Sequence, residues 1–274
     1  MKRPAGRHPG AAWALAAATV LAQITYPLVS GRLRDALTVA TVVLFAGAVV
    51  AAAALAHGRA VALRLLVTCC AVGFGAEAVG VATGVPFGSY AYTTTLGPRL
   101  AGVPLVIPLA WTMMAYPALV VGRRIGAPVL SGALALATWD VFLDPQMVRA
   151  GHWHFSGGNG PRLNGIPVVN HLGWFAVAVV LLALLGRVVP RVLSQVGSPV
   201  ESPAADAVPL ALYGWTYASS LLANLAFFGR PAVALAGGVA MGVPVVLLVV
   251  GSRRVARLGR GGRRQLGPAG VRAA

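Results

Sequence analysis

Charged side chains are scarce in this sequence, and acidic ones are scarcer still. Only 10% of its 274 residues are Asp, Glu, Lys or Arg, whereas about a quarter of the residues of a soluble domain are charged. Apolar residues make up 58% of the chain, and the mean hydropathy is +0.78. This composition excludes a soluble globular protein of this size and indicates an integral membrane protein.

Cysteine is almost absent. The two cysteines, Cys69 and Cys70, are adjacent and fall in a predicted helix, which excludes a disulfide framework and a CxxC metal motif. A secretory signal is not expected either, because the first apolar run is too long for a signal-peptide core and has no clear cleavage motif. We therefore interpret that run as a retained helix.

Long apolar runs dominate what is present. A membrane-spanning helix needs roughly 17 to 25 apolar residues, and eight runs of about this length can be found in the chain. We predict an all-α polytopic bundle of about eight transmembrane helices, which forms a single membrane domain over residues 1–274. The runs are 11–30, 36–56, 62–83, 103–122, 127–144, 171–189, 208–228 and 231–250.

The formal net charge of +16 is unevenly distributed along the chain. If the N-terminus is cytoplasmic, most Lys and Arg residues fall on the cytoplasmic side, as the positive-inside rule requires. We therefore predict a protein of the cell membrane with both termini in the cytoplasm. The cytoplasmic segments are a basic arm at 1–10, a linker at 187–209 and a basic tail at 252–274, and we expect the tail to contact anionic lipid and not nucleic acid.

One stretch of the chain occurs twice. Residues 77–111 and 140–174 align without a gap at an offset of 63, with eleven of thirty-five positions identical. Both copies contain GPRL, a variable residue, Gly, an aliphatic residue and Pro, and both end in Trp. Such internal similarity predicts two related helix-loop-helix units, which we expect to be parallel and to surround a common site.

Three of the six acidic residues lie inside predicted membrane helices. Glu77 aligns with Asp140, and Asp144 follows one helical turn after Asp140 on the same face. We expect Pro145 to end the fifth helix at Asp144. A carboxyl group in a membrane segment is a functional-site candidate by default, and burial disfavours its charged form. We therefore expect at least one of these acids to be protonated at neutral pH and able to donate a proton.

Other interpretations of these residues remain open. Asp140 and Asp144 could form a hydrogen-bonded polar pair that fixes the fifth helix to a neighbour. Their spacing could also hold a magnesium diphosphate, although a second aspartate-rich segment is missing. His152 and His154 could bind a metal, but no suitable set of further ligands accompanies them, so we predict no metal site and favour a role as polar lining or as a proton relay. The tryptophans and tyrosines could be packing or interfacial residues, or could line a cavity in which aromatic faces stabilise a cation.

In combination, these motifs resemble the membrane carotenoid hydratases, which include the gamma-carotene hydratases and the bisanhydrobacterioruberin hydratases. The resemblance covers residues 70–175 and departs from the family pattern at the SGGNG segment and at His171. It is carried by Glu77, Gly80, Gly84, Phe87, Gly88, Tyr90, Tyr92, Leu96, Gly97, Gly102, Val103, Pro104, Trp111, Asp140, Asp144, Pro145, Trp153, Gly165, Ile166, Pro167, Asn170, Gly173 and Trp174.

The resemblance implies a carotenoid biosynthesis enzyme that adds water, without a cofactor, across the terminal double bond of an acyclic carotenoid. The expected partners are the carotenoid, membrane lipid and, as candidates, other enzymes of the pathway. We assign the catalysis to Glu77, Asp140 and Asp144, with one aspartate as proton donor and the other two acids positioning the water. The residues expected to bind the substrate are Tyr90, Tyr92, Trp111, Trp153, His154, Asn170 and Trp174.

Two other functions stay open at this point. The chain could be a non-enzymatic binder or transporter of isoprenoids or lipids, because some carriers are also built from repeated units with broken segments. It could instead cyclise the end of a carotenoid, a reaction that begins with the same protonation and ends when carbon, and not water, captures the cation.

Overall fold

A computed structural model describes residues 10–158, 160–190 and 203–265. This part of the chain forms eight α-helices and six very short strands. The helices are α1 (Gly10–Thr25), α2 (Gly31–His57), α3 (Arg59–Thr83), α4 (Ile107–Ile125), α5 (Pro128–Arg149), α6 (Val168–Val188), α7 (Pro203–Leu222) and α8 (Pro231–Gln265). A 3-10 turn, Tyr26–Leu28, follows α1, and a π-helical turn, Ala223–Phe227, follows α7.

Five helical segments of the described chain are long and apolar enough to cross a membrane. They are Gly10–Leu28, Gly31–His57, Arg59–Thr83, Val168–Val188 and Pro231–Gly251. This agrees with the predicted all-α membrane protein. Whether α4, α5 and α7 also cross the membrane stays a prediction, because their length and composition alone do not indicate it.

The centre of the bundle is α4. It packs against α2, α3, α5, α6, α7 and α8, and its residues from Ala110 to Gly122 are all buried. Its closest neighbour is α5, which approaches at Gly122, where a Cβ atom would lie only 2.6 Å from the backbone nitrogen of Gly132. Glycine thus permits the backbone contact that holds the central pair together.

The end of α5 differs from the prediction. We expected the helix to stop at Asp144, but it continues through Pro145 to Arg149. Proline inside a helix removes one backbone hydrogen bond and disfavours the helix. Here residues on both sides of Pro145, including Phe142 and Met147, are buried against the bundle, and this packing keeps the chain helical for another turn.

Other helix boundaries also differ from the predicted ones. The fourth helix begins at Ile107 and not at 103, because Val103–Pro104 forms a strand, and the sixth begins at Val168. The last helix continues to Gln265 instead of ending near 250. The arm before Gly10, residues 191–202 of the predicted linker and the tail beyond Gln265 lie outside the described residues.

The two loops contain strand pairs that were not predicted. In the first loop, β1 is Tyr90–Tyr92, β2 is Arg99–Leu100 and β3 is Val103–Pro104. In the second loop, β4 is Trp153–Phe155, β5 is Arg162–Leu163 and β6 is Ile166–Pro167. Antiparallel pairs form between β2 and β3, between β5 and β6 and, across the two loops, between β1 and β4.

The pairing of β1 with β4 fixes the two loops to each other. Ala91 lies opposite His154, with Tyr90 opposite Phe155 and Tyr92 opposite Trp153. Side chains alternate between the two faces of a strand, so Tyr90, Tyr92 and Trp153 turn towards the bundle and are buried, whereas His154 is exposed. The ribbon therefore covers one end of the helix bundle with aromatic rings.

Candidate active site

Glu77 lies on the buried face of α3, one turn before Gly80. Its Oε2 atom accepts hydrogen bonds from the hydroxyls of Tyr90, at 2.6 Å, and Tyr92, at 2.8 Å. Its Oε1 atom accepts a third from Nε1 of Trp111, at 3.1 Å. A Cβ atom on Gly80 would lie 2.7 Å from the Tyr90 hydroxyl, so the absence of a side chain there allows the ring to reach the carboxyl group.

Asp140 and Asp144 project from one face of α5 and are both buried. The amide Nδ2 of Asn170 donates to Oδ2 of Asp140 at 3.0 Å and to Oδ2 of Asp144 at 2.5 Å. Nδ1 of His171 lies 2.5 Å from Oδ2 of Asp140. Asp140 Oδ1 and His171 Nε2 are buried and have no hydrogen-bond partner. Two residues at the start of α6 thus connect the pair of acids to the rest of the bundle.

A cavity of about 160 Å³ connects the acids of the two segments. Glu77 of α3 and Asp144 of α5 are both on its wall, as is Asn170. Most of the remaining wall is apolar or aromatic, and it is contributed by α1, α2, α4, α5, α6, α7 and both loops. The cavity can therefore take an apolar group and present it to two carboxyl groups at once.

Aromatic rings form a continuous cluster around this cavity. Trp111 and Trp174 stack with ring centroids 4.2 Å apart, and Phe87 lies 6.4 Å from each of them. Tyr92 contacts Trp153 edge to face at 5.5 Å. The negative faces of aromatic rings attract a nearby cation, so the wall suits a positively charged intermediate on an otherwise apolar molecule.

Most residues predicted for the site line this one cavity. They are Glu77, Asp144, Tyr90, Tyr92, Trp111, Trp153, Asn170 and Trp174. Asp140 is fully buried behind Asn170 and is not part of the wall. His154 lies on the outer side of the ribbon, so its position does not support a role in shaping the cavity.

Several wall residues were not among the predicted site residues. Phe87, Trp139 and Phe142 belong to the aromatic and apolar part of the wall, and Thr38 and Gln23 extend it to α2 and α1. No site residue was predicted in the first two helices. The sequence signal that could have indicated one is Gln23, a strongly polar residue in an apolar helix, whose Oε1 accepts a hydrogen bond from Nε1 of Trp215 at 2.7 Å.

Within the described part of the chain, no group of three or more His, Cys, Asp or Glu side chains is arranged to hold a metal ion. The side chains at the site are instead carboxyl, amide, phenol and indole groups. These groups can donate and accept protons and can form hydrogen bonds to a water molecule.

Comparison with known proteins gives two matches. A sequence profile of the family described as "Carotenoid biosynthesis protein" matches residues 38–245, which include all the cavity-lining residues of α3 to α7. Bisanhydrobacterioruberin hydratase from Haloarcula japonica is 35% identical over 120 residues, a match that covers 39% of this chain and 40% of that relative. The aligned part is thus less than half of either protein. No solved structure matches the chain significantly.

Proposed function

Because this chain belongs to the carotenoid biosynthesis protein family, we propose that it is a hydratase, which adds water by acid catalysis to the terminal double bond of an acyclic carotenoid. The observation that carries the proposal is that Glu77 and Asp144 share the wall of one aromatic cavity. A relative that is 35% identical over part of its length is named a hydratase, which supports the same reaction class.

Asp144 is the proton donor in this proposal. It is buried, and the neutral amide of Asn170 donates a hydrogen bond to it. Asp140 lies one turn away and contacts the same amide nitrogen, and two neighbouring carboxyl groups in an apolar site resist being ionised together. One of the pair therefore holds a proton, and Asp144 is the one that reaches the cavity. Asp140, with His171, acts as a positioning residue.

Glu77 is the ionised carboxyl group. Burial disfavours its charge, but three hydrogen-bond donors point at it, and donors to a carboxylate favour its charged form. A carboxylate has about four acceptor positions, so one remains on Oε1 for a water molecule. Glu77 thus holds the water and takes a proton from it as the new bond forms.

Every proton transferred in the proposed reaction has a donor and an acceptor. Asp144 gives its proton to the less substituted carbon of the terminal double bond, which leaves a tertiary cation on the neighbouring carbon. The faces of Trp111, Trp174 and Phe87 stabilise this cation. The oxygen of the bound water adds to it, Glu77 receives the proton released, and a tertiary alcohol forms. Transfer of one proton from Glu77 back to Asp144 restores the starting state.

The two related segments form paired units in this proposal. Ala91 and His154, which are opposite each other in the β1–β4 ribbon, are 63 residues apart, and so are the stacked Trp111 and Trp174. Contact between a residue and its counterpart is what a local two-fold axis produces. If such an axis runs along the membrane normal, the two units are parallel, and each brings one acid to the shared cavity.

The test of the function is product analysis. The chain is expressed in cells that accumulate lycopene or an acyclic fifty-carbon carotenoid, with a Glu77→Gln, Asp144→Asn double variant as control, and the pigments are separated by chromatography. We expect a product heavier by one water with the wild type and not with the variant. A cyclic product of unchanged mass would show cyclisation instead, and an unchanged pigment that copurifies with the protein would show a binder.

A further inference from the structure

His152 is a buried histidine that contacts one residue of the cavity wall and one exposed loop residue. It lies between α5 and β4 and is completely buried, with 0% of its surface exposed. Its Nδ1 atom lies 2.7 Å from Oγ1 of Thr95, and its Nε2 atom lies 3.4 Å from Oγ1 of Thr38. The two ring nitrogens thus contact hydroxyl groups on opposite sides of the imidazole.

These two hydroxyl groups are in different surroundings. Thr38 is part of the cavity wall, whereas Thr95 is exposed and bonds to the hydroxyl of Thr93 at 2.9 Å. Asp35, whose side chain is 26% exposed, lies 4.0 Å from Nε2 of His152. The buried imidazole therefore lies between the cavity-lining Thr38 and the exposed Thr95.

We propose that Thr95, His152 and Thr38 form a proton relay that connects the aqueous surface with the cavity and keeps its acid in protonic equilibrium with the solvent. This inference rests on the proposed function, because it concerns the acid that the hydration requires. It adds a route for protons that the carboxyl groups themselves do not provide.

The relay needs no net change in charge. Burial lowers the pKa of His152, with Asp35 opposing the effect, so the ring is neutral at neutral pH. A neutral imidazole has one N–H donor and one acceptor nitrogen. When a proton arrives from Thr95 at the acceptor Nδ1, the proton on Nε2 leaves to Thr38. Water in the cavity carries this proton to Asp144. Rotation of the threonine hydroxyls and a change of tautomer in the His152 ring then return the relay to its starting state.

The relay is tested by hydrogen exchange and not by product formation. The carboxyl stretching band of protonated Asp144, assigned from its loss in Asp144→Asn, is followed by infrared spectroscopy after transfer of the purified protein into deuterium oxide. Proton transfer by a positioned side chain typically contributes roughly 10²–10⁴-fold, so we expect exchange to slow by about tenfold or more in His152→Gln and in Thr38→Val.

Thr25→Val is the matched control. The hydroxyls of Thr25 and Thr38 each bond to the carbonyl four residues earlier in their own segments, at 2.9 and 3.0 Å, but Thr25 is not part of the cavity wall. We expect this variant to exchange at the wild-type rate. Added imidazole should restore rapid exchange in His152→Ala, which loss of a purely structural residue would not allow.

Equal exchange rates in the wild type, His152→Gln and Thr38→Val would overturn the relay, even if the pigment assay shows hydration. Absence of any Asp144-dependent carboxyl band in the wild type would also overturn it, because the acid that it serves would not hold a proton. Slow exchange in both variants without any hydrated pigment would instead support the relay and refute the hydratase.

Discussion

Trp111 and Trp174 stack face to face, with ring centroids 4.2 Å apart and ring planes inclined by only 14°. Each tryptophan is the last residue of one of the two related segments, so the ends of the segments meet in the centre of the bundle. The stack lies directly behind Glu77, since the indole Nε1 of Trp111 donates to its Oε1 atom at 3.1 Å. The same pair thus joins the two segments and orients a carboxyl group on the cavity wall.

The stack predicts unequal effects of two similar substitutions. Trp111→Phe and Trp174→Phe both keep an aromatic ring in the pair, but only Trp111→Phe removes the donor to Glu77. A hydrogen bond to a charged group contributes about 1.5–3 kcal/mol, which corresponds to a loss of roughly 10- to 150-fold in hydration rate. We expect Trp174→Phe to stay within a few-fold of wild type. Product formation per amount of purified protein measures both, and equal losses would contradict the role of the indole donor.

Substitutions of the two aspartates of α5 are predicted to lower the hydration rate by different amounts. Asp144→Asn removes the acid on the cavity wall, so the rate should fall by about 10²-fold or more, as for loss of a general acid. Asp140→Asn should lower the rate less, because Asp140 lies behind Asn170 and does not reach the cavity. The matched control is Asp206→Asn, which removes a carboxylate that forms an ion pair with Arg124 and is not part of the cavity wall. A greater loss in Asp140→Asn than in Asp144→Asn would reverse the assignment of the acid.

Sequence was enough to select the three acids as candidates, but not to predict which of them reach a cavity. A carboxyl group in an apolar helix is unusual, so Glu77, Asp140 and Asp144 could be proposed as site residues without a structure, and their catalytic role stays a prediction. Asp140 and Asp144 share a face, however, and which of the two reaches the cavity depends on how α5 is rotated and on where Asn170 of α6 meets it. Such packing between distant segments leaves no local signal.

The same reason explains the other differences. The strands were missed because they have only two or three residues, and the pairing of Tyr92 with Trp153 joins positions that are distant in sequence. Thr38 was missed because a threonine in an apolar helix can bond to its own backbone, as it does to the carbonyl of Arg34. Pro145 predicted a helix end from local preference alone, and the burial of its neighbours outweighed that preference.

Two glycines of α3 predict opposite effects of the same change. A Cβ atom on Gly73 would lie 2.7 Å from two ring atoms of Trp111, whereas a Cβ atom on Gly75 meets nothing within 4 Å. Gly73→Ala should therefore displace the indole from Glu77 and destabilise the protein by about 1–3 kcal/mol. Gly75→Ala should stabilise α3 by roughly 0.5–1 kcal/mol. Thermal unfolding in detergent and the hydration rate are the measurements, and wild-type behaviour of Gly73→Ala would contradict the close approach of Trp111.

The distribution of basic residues predicts which loops face the cytoplasm. We expect the loop between α3 and α4 to be outside and the turn between α4 and α5, which follows Arg123 and Arg124, to be inside. Thr94 and Ala127 are exposed residues in these two places. In a variant that lacks Cys69 and Cys70, a membrane-impermeant thiol reagent should label Thr94→Cys in intact cells and Ala127→Cys only after the membrane is permeabilised.

The opposite labelling pattern would show that the protein has the reverse orientation in the membrane. Water and protons would then reach the cavity from the cytoplasmic side. Labelling of both positions in intact cells would show that α4 does not cross the membrane. The bundle would then have fewer than eight spans, although the contacts of Glu77 and Asp144 around the cavity would be unchanged.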